Sequence, residues 1–182
     1  MNLANILTIL RLGSPFLFIL ICLLIDSKFS ENLYIFILFI LMSITDYLDG
    51  FIARKFKMES LFGKVFDPIS DKILVSSALL YILSFDNNIL FPALIIIFRE
   101  FLVSGLREFS VSKKNTYMNV VYISKIKTSL QFLSIGAFLL NDILYTLYTI
   151  QIYNFALYGL WLATILTIYT GFKYSSNIIK EL

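Results

Sequence analysis

The chain has 182 residues, 59% of them hydrophobic and 15% charged, with a formal net charge of +3. A mean hydropathy of +0.85 excludes an ordinary water-soluble domain and points to life in a membrane. Apolar runs recurring to the C-terminus argue against one cleaved signal segment ahead of a soluble protein, and the lack of histidine with a single Cys22 excludes thiolate or imidazole zinc sites.

Uncharged runs cover residues 12–25, 32–45, 73–85, 87–98, 128–141 and 143–172, which predicts an all-α integral membrane protein of six transmembrane helices forming one domain over 1–182. The first five runs hold 12–14 residues. At about 1.5 Å per residue each covers only about 20 Å of a hydrocarbon core about 30 Å thick, so the charged flanks must reach membrane depth. Strands are not expected, since no ten-residue alternation appears and unpaired backbone in lipid is costly. If the helices alternate in direction, only Lys28 of the 15 basic residues falls in an outer connection. The positive-inside rule then sets both termini and the polar chemistry at the cytoplasmic end. The outer turns, with Asp26, Glu31, Asp86 and Asp142, read as bare connectors.

In chain order, Asn5, Thr8 and Arg11 stand at the inner start of helix one, placed either to reach nucleotide phosphates or to cap and anchor the helix. Near the inner end of helix two, Asp46, Asp49, Gly50 and Ala53 fall at i, i+3, i+4 and i+7, on one helix face. Asp67 and Asp71 follow at i and i+4 near the start of helix three, after a reversal through Gly63. Carboxylates within a membrane are functional candidates, and four together repel strongly unless divalent cations bind among them. Oxygen ligands suit magnesium or manganese. Two such ions, about 3.5–4 Å apart, can clamp the oxygens of a phosphoryl transfer. Gly50 and Ala53 leave room for a nucleotide diphosphate beside Arg54, although small residues also serve plain helix packing. An ion path, or a salt-bridge cluster with Arg54, Lys64 and Lys72, is the competing account of the acids.

The full pattern Asp46-x2-Asp49-Gly50-x2-Ala53-Arg54-x8-Gly63-x3-Asp67-x3-Asp71, eight fixed residues over 26 positions, resembles the signature of the CDP-alcohol phosphotransferase family. The resemblance implies a six-helix membrane enzyme, commonly homodimeric, that transfers a substituted phosphate from a CDP-linked donor to an alcohol and releases CMP. It implies further that Asp46, Asp49, Asp67 and Asp71 hold two divalent cations, Mg2+ or Mn2+, that Asp71 is also the base, and that Gly50, Ala53, Arg54 and Gly63 form the CDP pocket; Thr8 is counted with that donor site on its position at the inner start of helix one.

Three other stretches resemble the phosphatidylglycerophosphate synthase branch of that family: Asn5-Ile-Leu-Thr8-Ile-Leu-Arg11 with Pro15, Arg99-Glu100-Phe-Leu-Val-Ser104-Gly105-Leu-Arg107-Glu108, and Lys125-Ile-Lys127-Thr128-x2-Gln131. Ala4, Ser70 and Ser124 depart from the proline, alanine and glycine of many relatives, all at flanking positions. The donor implied is CDP-diacylglycerol and the acceptor sn-glycerol 3-phosphate, whose phosphate calls for cations. Arg99, Arg107 and Lys125 are the candidates, with Lys127 beside them, and arginine's fork suits a phosphate. Arg107 and Lys127 can equally be read as interfacial anchors, and Arg99 as half of an internal ion pair with Glu100. Helix six, with Tyr153, Tyr158, Trp161, Tyr169 and Tyr174, reads as a packing and interface element. Membrane lipid and a second copy of the chain are the expected partners, nucleic acid is not, and the expected location is a bacterial inner membrane. Rival readings are another alcohol acceptor (serine, inositol or phosphatidylglycerol), a prenyltransferase, and a cation transporter.

Overall fold

A computed structural model describes the backbone of residues 3–56, 61–112 and 122–180, and the side chains of 6–45, 66–106, 108 and 123–176. Every regular element among them is helical: α1 (Leu3–Leu12), α2 (Ser14–Leu24), α3 (Lys28–Phe56), α4 (Leu61–Leu83), α5 (Leu90–Ser112), α6 (Tyr122–Tyr148) and α7 (Tyr153–Lys180), with a single 3-10 turn at Asn87–Ile89. The helices α3, α5, α6 and α7 are each long and apolar enough to cross a membrane, and α1 with α2 makes a fifth span if the bent pair is counted as one. The chain is a membrane protein of helices, and among the described residues four or five of the six expected spans are recognisable by length and composition. The difference lies in α4, long enough at 23 residues but carrying Lys64, Asp67, Asp71 and Lys72 in its first half.

Helix one of the sequence reading is in fact two helices that meet at 58°. Pro15 explains the break, since it has no N–H to offer the carbonyl of Arg11 and its ring would crowd that carbonyl. Released from the span, α1 packs against both α3 and α4. Its polar residues turn inward, Thr8 and Arg11 being only 3% and 2% exposed, while Ile6, Ile9 and Leu10 face outward. That inversion of the soluble amphipathic pattern suits a helix bounded by lipid, and an outward belt including Phe16, Leu23, Phe91, Phe98 and Phe172 continues it.

The core is built by α3, α4, α5, α6 and α7, around Ile35, Phe39, Leu74, Leu79, Ile96, Ile135 and Leu160. Phe39 stacks on Phe132 at 5.4 Å, joining α3 to α6. Small residues then let α6 and α7 approach closely: a methyl group on Gly159 would collide with Ser134 Oγ.

At the end of the bundle away from the aspartates, Asp26 and Asp86 fall in connections as expected, but a polar chain runs beside them. Glu31 and Asp142 lie inside α3 and α6 rather than in turns. Lys28 Nζ donates to Glu31 Oε1 (3.0 Å) and to the Tyr81 hydroxyl (3.2 Å). That hydroxyl donates to Asn32 Oδ1, and Asn32 Nδ2 donates to Asp142 Oδ2 at 2.7 Å. Asn141 extends the chain by donating to Asp142 and accepting from the backbone N–H of Ile152. The last predicted run is likewise corrected: α6 continues through Tyr148, and the turn falls at 149–152. There Thr149 adopts φ 56° and its N–H reaches back to the carbonyl of Tyr145 at 3.0 Å, a left-handed helix stop made without glycine, with Ile150 N–H 3.4 Å from the carbonyl of Leu144.

Candidate active site

Asp67 and Asp71 lie one turn apart on α4, and α1 is docked onto them. Thr8 Oγ1 donates to Asp67 Oδ1 at 2.7 Å. Arg11, buried among the helices, donates from Nη1 to Ser70 Oγ at 3.2 Å and to Asp71 Oδ1 at 3.3 Å. Ser70 Oγ in turn donates to the carbonyl of Asp67 at 2.9 Å, so its hydroxyl braces the helix turn that carries both acids. Asp71 is the more accessible end of its pair with Arg11, its side chain 42% exposed against 2%.

Asp71 also lines a cavity of about 460 Å³ between α4, α5, α6 and α7. That volume is in the range of small-ligand sites. Its walls carry Lys72, Arg99, Lys125 and Lys127 against two carboxylates, Asp71 and Glu100, an excess of two positive charges. Lys72 spans α4 and α5, donating to the Pro68 carbonyl (2.8 Å) and to Ser104 Oγ (2.7 Å). Glu100 Oε1 takes a bond from Arg99 Nη1 at 3.3 Å and another from Lys127 Nζ. Lys127, 3% exposed, is thus buried in an ion pair and is no interfacial anchor. Arg99 makes the internal ion pair with Glu100 and also lines the cavity.

Of the remaining sequence candidates, the side chains of Asp46, Asp49, Gly50, Ala53, Arg54, Gly63 and Arg107 lie outside the described residues. Asp46, Asp49, Gly50, Ala53 and Arg54 all fall within α3, where their spacing puts Asp46, Asp49, Gly50 and Ala53 on one helix face. Among the described residues no group of three metal-ligating side chains is gathered, two of the four expected ligands being beyond them. The donors that are described fit a hard divalent ion: two aspartate carboxylates one turn apart, each with Oδ1 already hydrogen-bonded to α1.

The family model for CDP-alcohol phosphatidyltransferase matches residues 1–169. The chain belongs to this family. Among its relatives, a protein of Rickettsia felis is 39% identical over 173 residues, covering 95% of this chain and 93% of the relative. One from Wigglesworthia glossinidia brevipalpis is 36% identical over 177 residues, covering 96% and 93%. One from Bacillus subtilis is 38% identical over 141 residues, covering 78% and 71%. All three are named CDP-diacylglycerol–glycerol-3-phosphate 3-phosphatidyltransferase.

The acid pattern of this CDP-alcohol phosphatidyltransferase family member lies wholly inside the matched segment, whereas α7 runs on past it. The turn of α7 from Thr170 to Tyr174, just past the match, makes contacts to the cavity that the sequence did not reveal. Arg99 Nη2 donates to Thr170 Oγ1 at 2.9 Å, its Cζ sits 5.8 Å from the centre of the Tyr174 ring, and Tyr174 itself lines the cavity. A signal was present in the run Thr164, Thr167, Thr170, Gly171, small or hydroxyl-bearing residues every three or four positions on an otherwise greasy helix.

Proposed function

We propose that this chain transfers the phosphatidyl group of CDP-diacylglycerol to sn-glycerol 3-phosphate, releasing CMP and leaving phosphatidylglycerophosphate in the membrane. The observation that carries the reading is the cavity in which Asp71 faces Lys72, Arg99, Lys125 and Lys127. Its excess of two positive charges matches a phosphate dianion, and the carboxylate on the same wall is where the hydroxyl of that acceptor must lose its proton. The names of the relatives point to the same donor and acceptor.

Arg99 and Lys125, with Arg107, hold the acceptor phosphate in this reading. Asp71 takes the proton of the primary hydroxyl. The alcohol oxygen forms a bond to the phosphorus that bears the diacylglycerol, the bridging P–O bond of the pyrophosphate breaks, and its electron pair leaves on CMP. Asp46, Asp49, Asp67 and Asp71 are the ligands for two divalent cations, Mg2+ or Mn2+, which when bound neutralise the pyrophosphate and the charge developing on the leaving group. Gly50, Ala53 and Gly63 leave space for the cytidine diphosphate, Arg54 pairs with its phosphate, and Thr8 orients Asp67 beneath it. Six spans complete the fold, counting α4 and the bent pair α1–α2, with both termini and the cavity at the cytoplasmic face of the cell membrane and a homodimer as the assembly.

The test is CMP release by purified protein in mixed micelles with CDP-diacylglycerol, offering glycerol 3-phosphate, serine, inositol and phosphatidylglycerol in turn. Turnover with glycerol 3-phosphate alone, abolished by a chelator and restored by magnesium or manganese, is expected. Preference for an uncharged or zwitterionic alcohol would overturn the acceptor assignment, and metal-independent turnover would overturn the ligand set.

A further inference from the structure

Arginine has four rotatable side-chain bonds, so a guanidinium that must meet a small anion in one place needs support from behind. Arg99 has it from three helices. Glu100 of its own helix takes Nη1, and α6 holds Glu100 in turn through Lys127. Helix α7 supplies the rest: the Thr170 hydroxyl accepts from Nη2, and Tyr174 offers its ring face to the charge. Thr170 Oγ1 also lies 2.8 Å from the carbonyl of Leu166 and 3.2 Å from that of Thr167, and its own proton goes to these carbonyls of the preceding turn. Its lone pair is therefore turned toward Arg99, and the buried hydroxyl acts as an acceptor of fixed direction. Between these two residues, Gly171 provides the space. A methyl group there would stand 3.0 Å from Arg99 Cγ and 3.4 Å from Nε, in the middle of the side chain, where a small displacement swings the guanidinium through a larger arc.

We infer that Thr170, Gly171 and Tyr174 of α7 form a cradle that positions the Arg99 guanidinium in the cavity, and that α7 thereby sets the affinity of the site for its anionic acceptor. The inference rests on the reading of this cavity as the acceptor site. It assigns a role to a turn of α7 beyond the segment that the family model matches, and to residues that make no use of the aspartate pattern.

Thr170→Val removes the acceptor atom while keeping the shape, and Thr170→Ser keeps the atom. Steady-state CMP release at saturating CDP-diacylglycerol and metal, with glycerol 3-phosphate varied, is expected to give a KM about tenfold higher for Thr170→Val, equivalent to ~1.4 kcal/mol. The fall in kcat and the change in donor KM should each stay within about twofold, and Thr170→Ser should lie near the parent. Gly171→Ala should raise the same KM by a similar factor. Inorganic phosphate, as a competitive inhibitor against glycerol 3-phosphate, should lose affinity in parallel, which reads anion binding without turnover. An acceptor KM within twofold of the parent for Thr170→Val, or equal losses for the Val and Ser variants, would overturn the cradle. Arg99→Lys separates this from a failure of the underlying reading. If Arg99→Lys leaves both the acceptor KM and phosphate inhibition unmoved, the cavity is not the acceptor site. If it weakens both while the Thr170 variants do not, only the cradle is lost.

Discussion

Replacing Glu100 by glutamine tests the electrostatic centre of the cavity wall. Glu100 lies between Arg99 and Lys127, whose side chains are only 10% and 4% exposed. At the 3.3 Å separation of Arg99 from Glu100, Coulomb attraction at an effective dielectric of about 20 amounts to ~5 kcal/mol before desolvation. The net value of an intact buried pair is far smaller, but taking away one partner strands the other charge, and such losses run to about 3–5 kcal/mol. Glu100 is 17% exposed and opens on a cavity that admits water, so the lower end, about 3 kcal/mol, applies. For a chain of this length each kcal/mol moves Tm by about 2–4 °C, so Glu100→Gln is expected to lower Tm by roughly 6–12 °C in detergent micelles. Glu100→Gln combined with Lys127→Met removes the stranded ammonium as well and should recover most of that loss. A single variant within 2 °C of the parent, or a double variant less stable than the single one, would refute the argument that Glu100 is what makes a buried lysine tolerable here.

Asp71→Asn keeps the shape of the base but cannot take a proton, so kcat for CMP release should fall by about a hundredfold or more with saturating metal; an unaltered rate would remove Asp71 from that role. Gly159→Ala drives a methyl group into Ser134 Oγ and should cost about 1–3 kcal/mol, read as a Tm lowered by ~2–12 °C, with Ser134→Ala on the same chain restoring it; full stability of Gly159→Ala alone would contradict the close α6–α7 approach. Asn32→Leu breaks the polar chain between Tyr81 and Asp142 and should lower Tm by ~4–8 °C, at about 2 kcal/mol for stranded buried groups, while acceptor KM holds because Tyr81 lies ten residues, about 15 Å of helix, beyond Asp71. A change in acceptor KM without a change in Tm would reverse that assignment.

Patterns confined to one helix were legible in the chain itself. In lipid the backbone polar groups must be satisfied within helices or closed barrels, so hydropathy together with the lack of strand-like alternation called for an all-helical membrane protein. The i, i+3, i+4 and i+7 spacing of Asp46, Asp49, Gly50 and Ala53, and the i, i+4 spacing of Asp67 and Asp71, are local facts of the same kind, and the family follows from them. Other features needed the fold. The stop at Thr149 was hidden because it is made by a threonine in a left-handed conformation where glycine is the usual mark, so the apolar run read straight through it. Arg11 and Lys127 looked like anchors because a cation at a helix end ordinarily faces water or headgroups; what buries them is a carboxylate from another helix, Asp71 for one and Glu100 for the other. Arg99 and Thr170 stand 71 positions apart, and their hydrogen bond exists only because α7 lies against α5 with Gly171 allowing the approach. Residue types and their periodicity thus determined the solvent, the element type and the acidic pattern of this protein. Which cations meet in the cavity, and which residues hold them there, was decided by helix packing, since such contacts depend on where side chains lie in space and leave no fixed spacing along the chain.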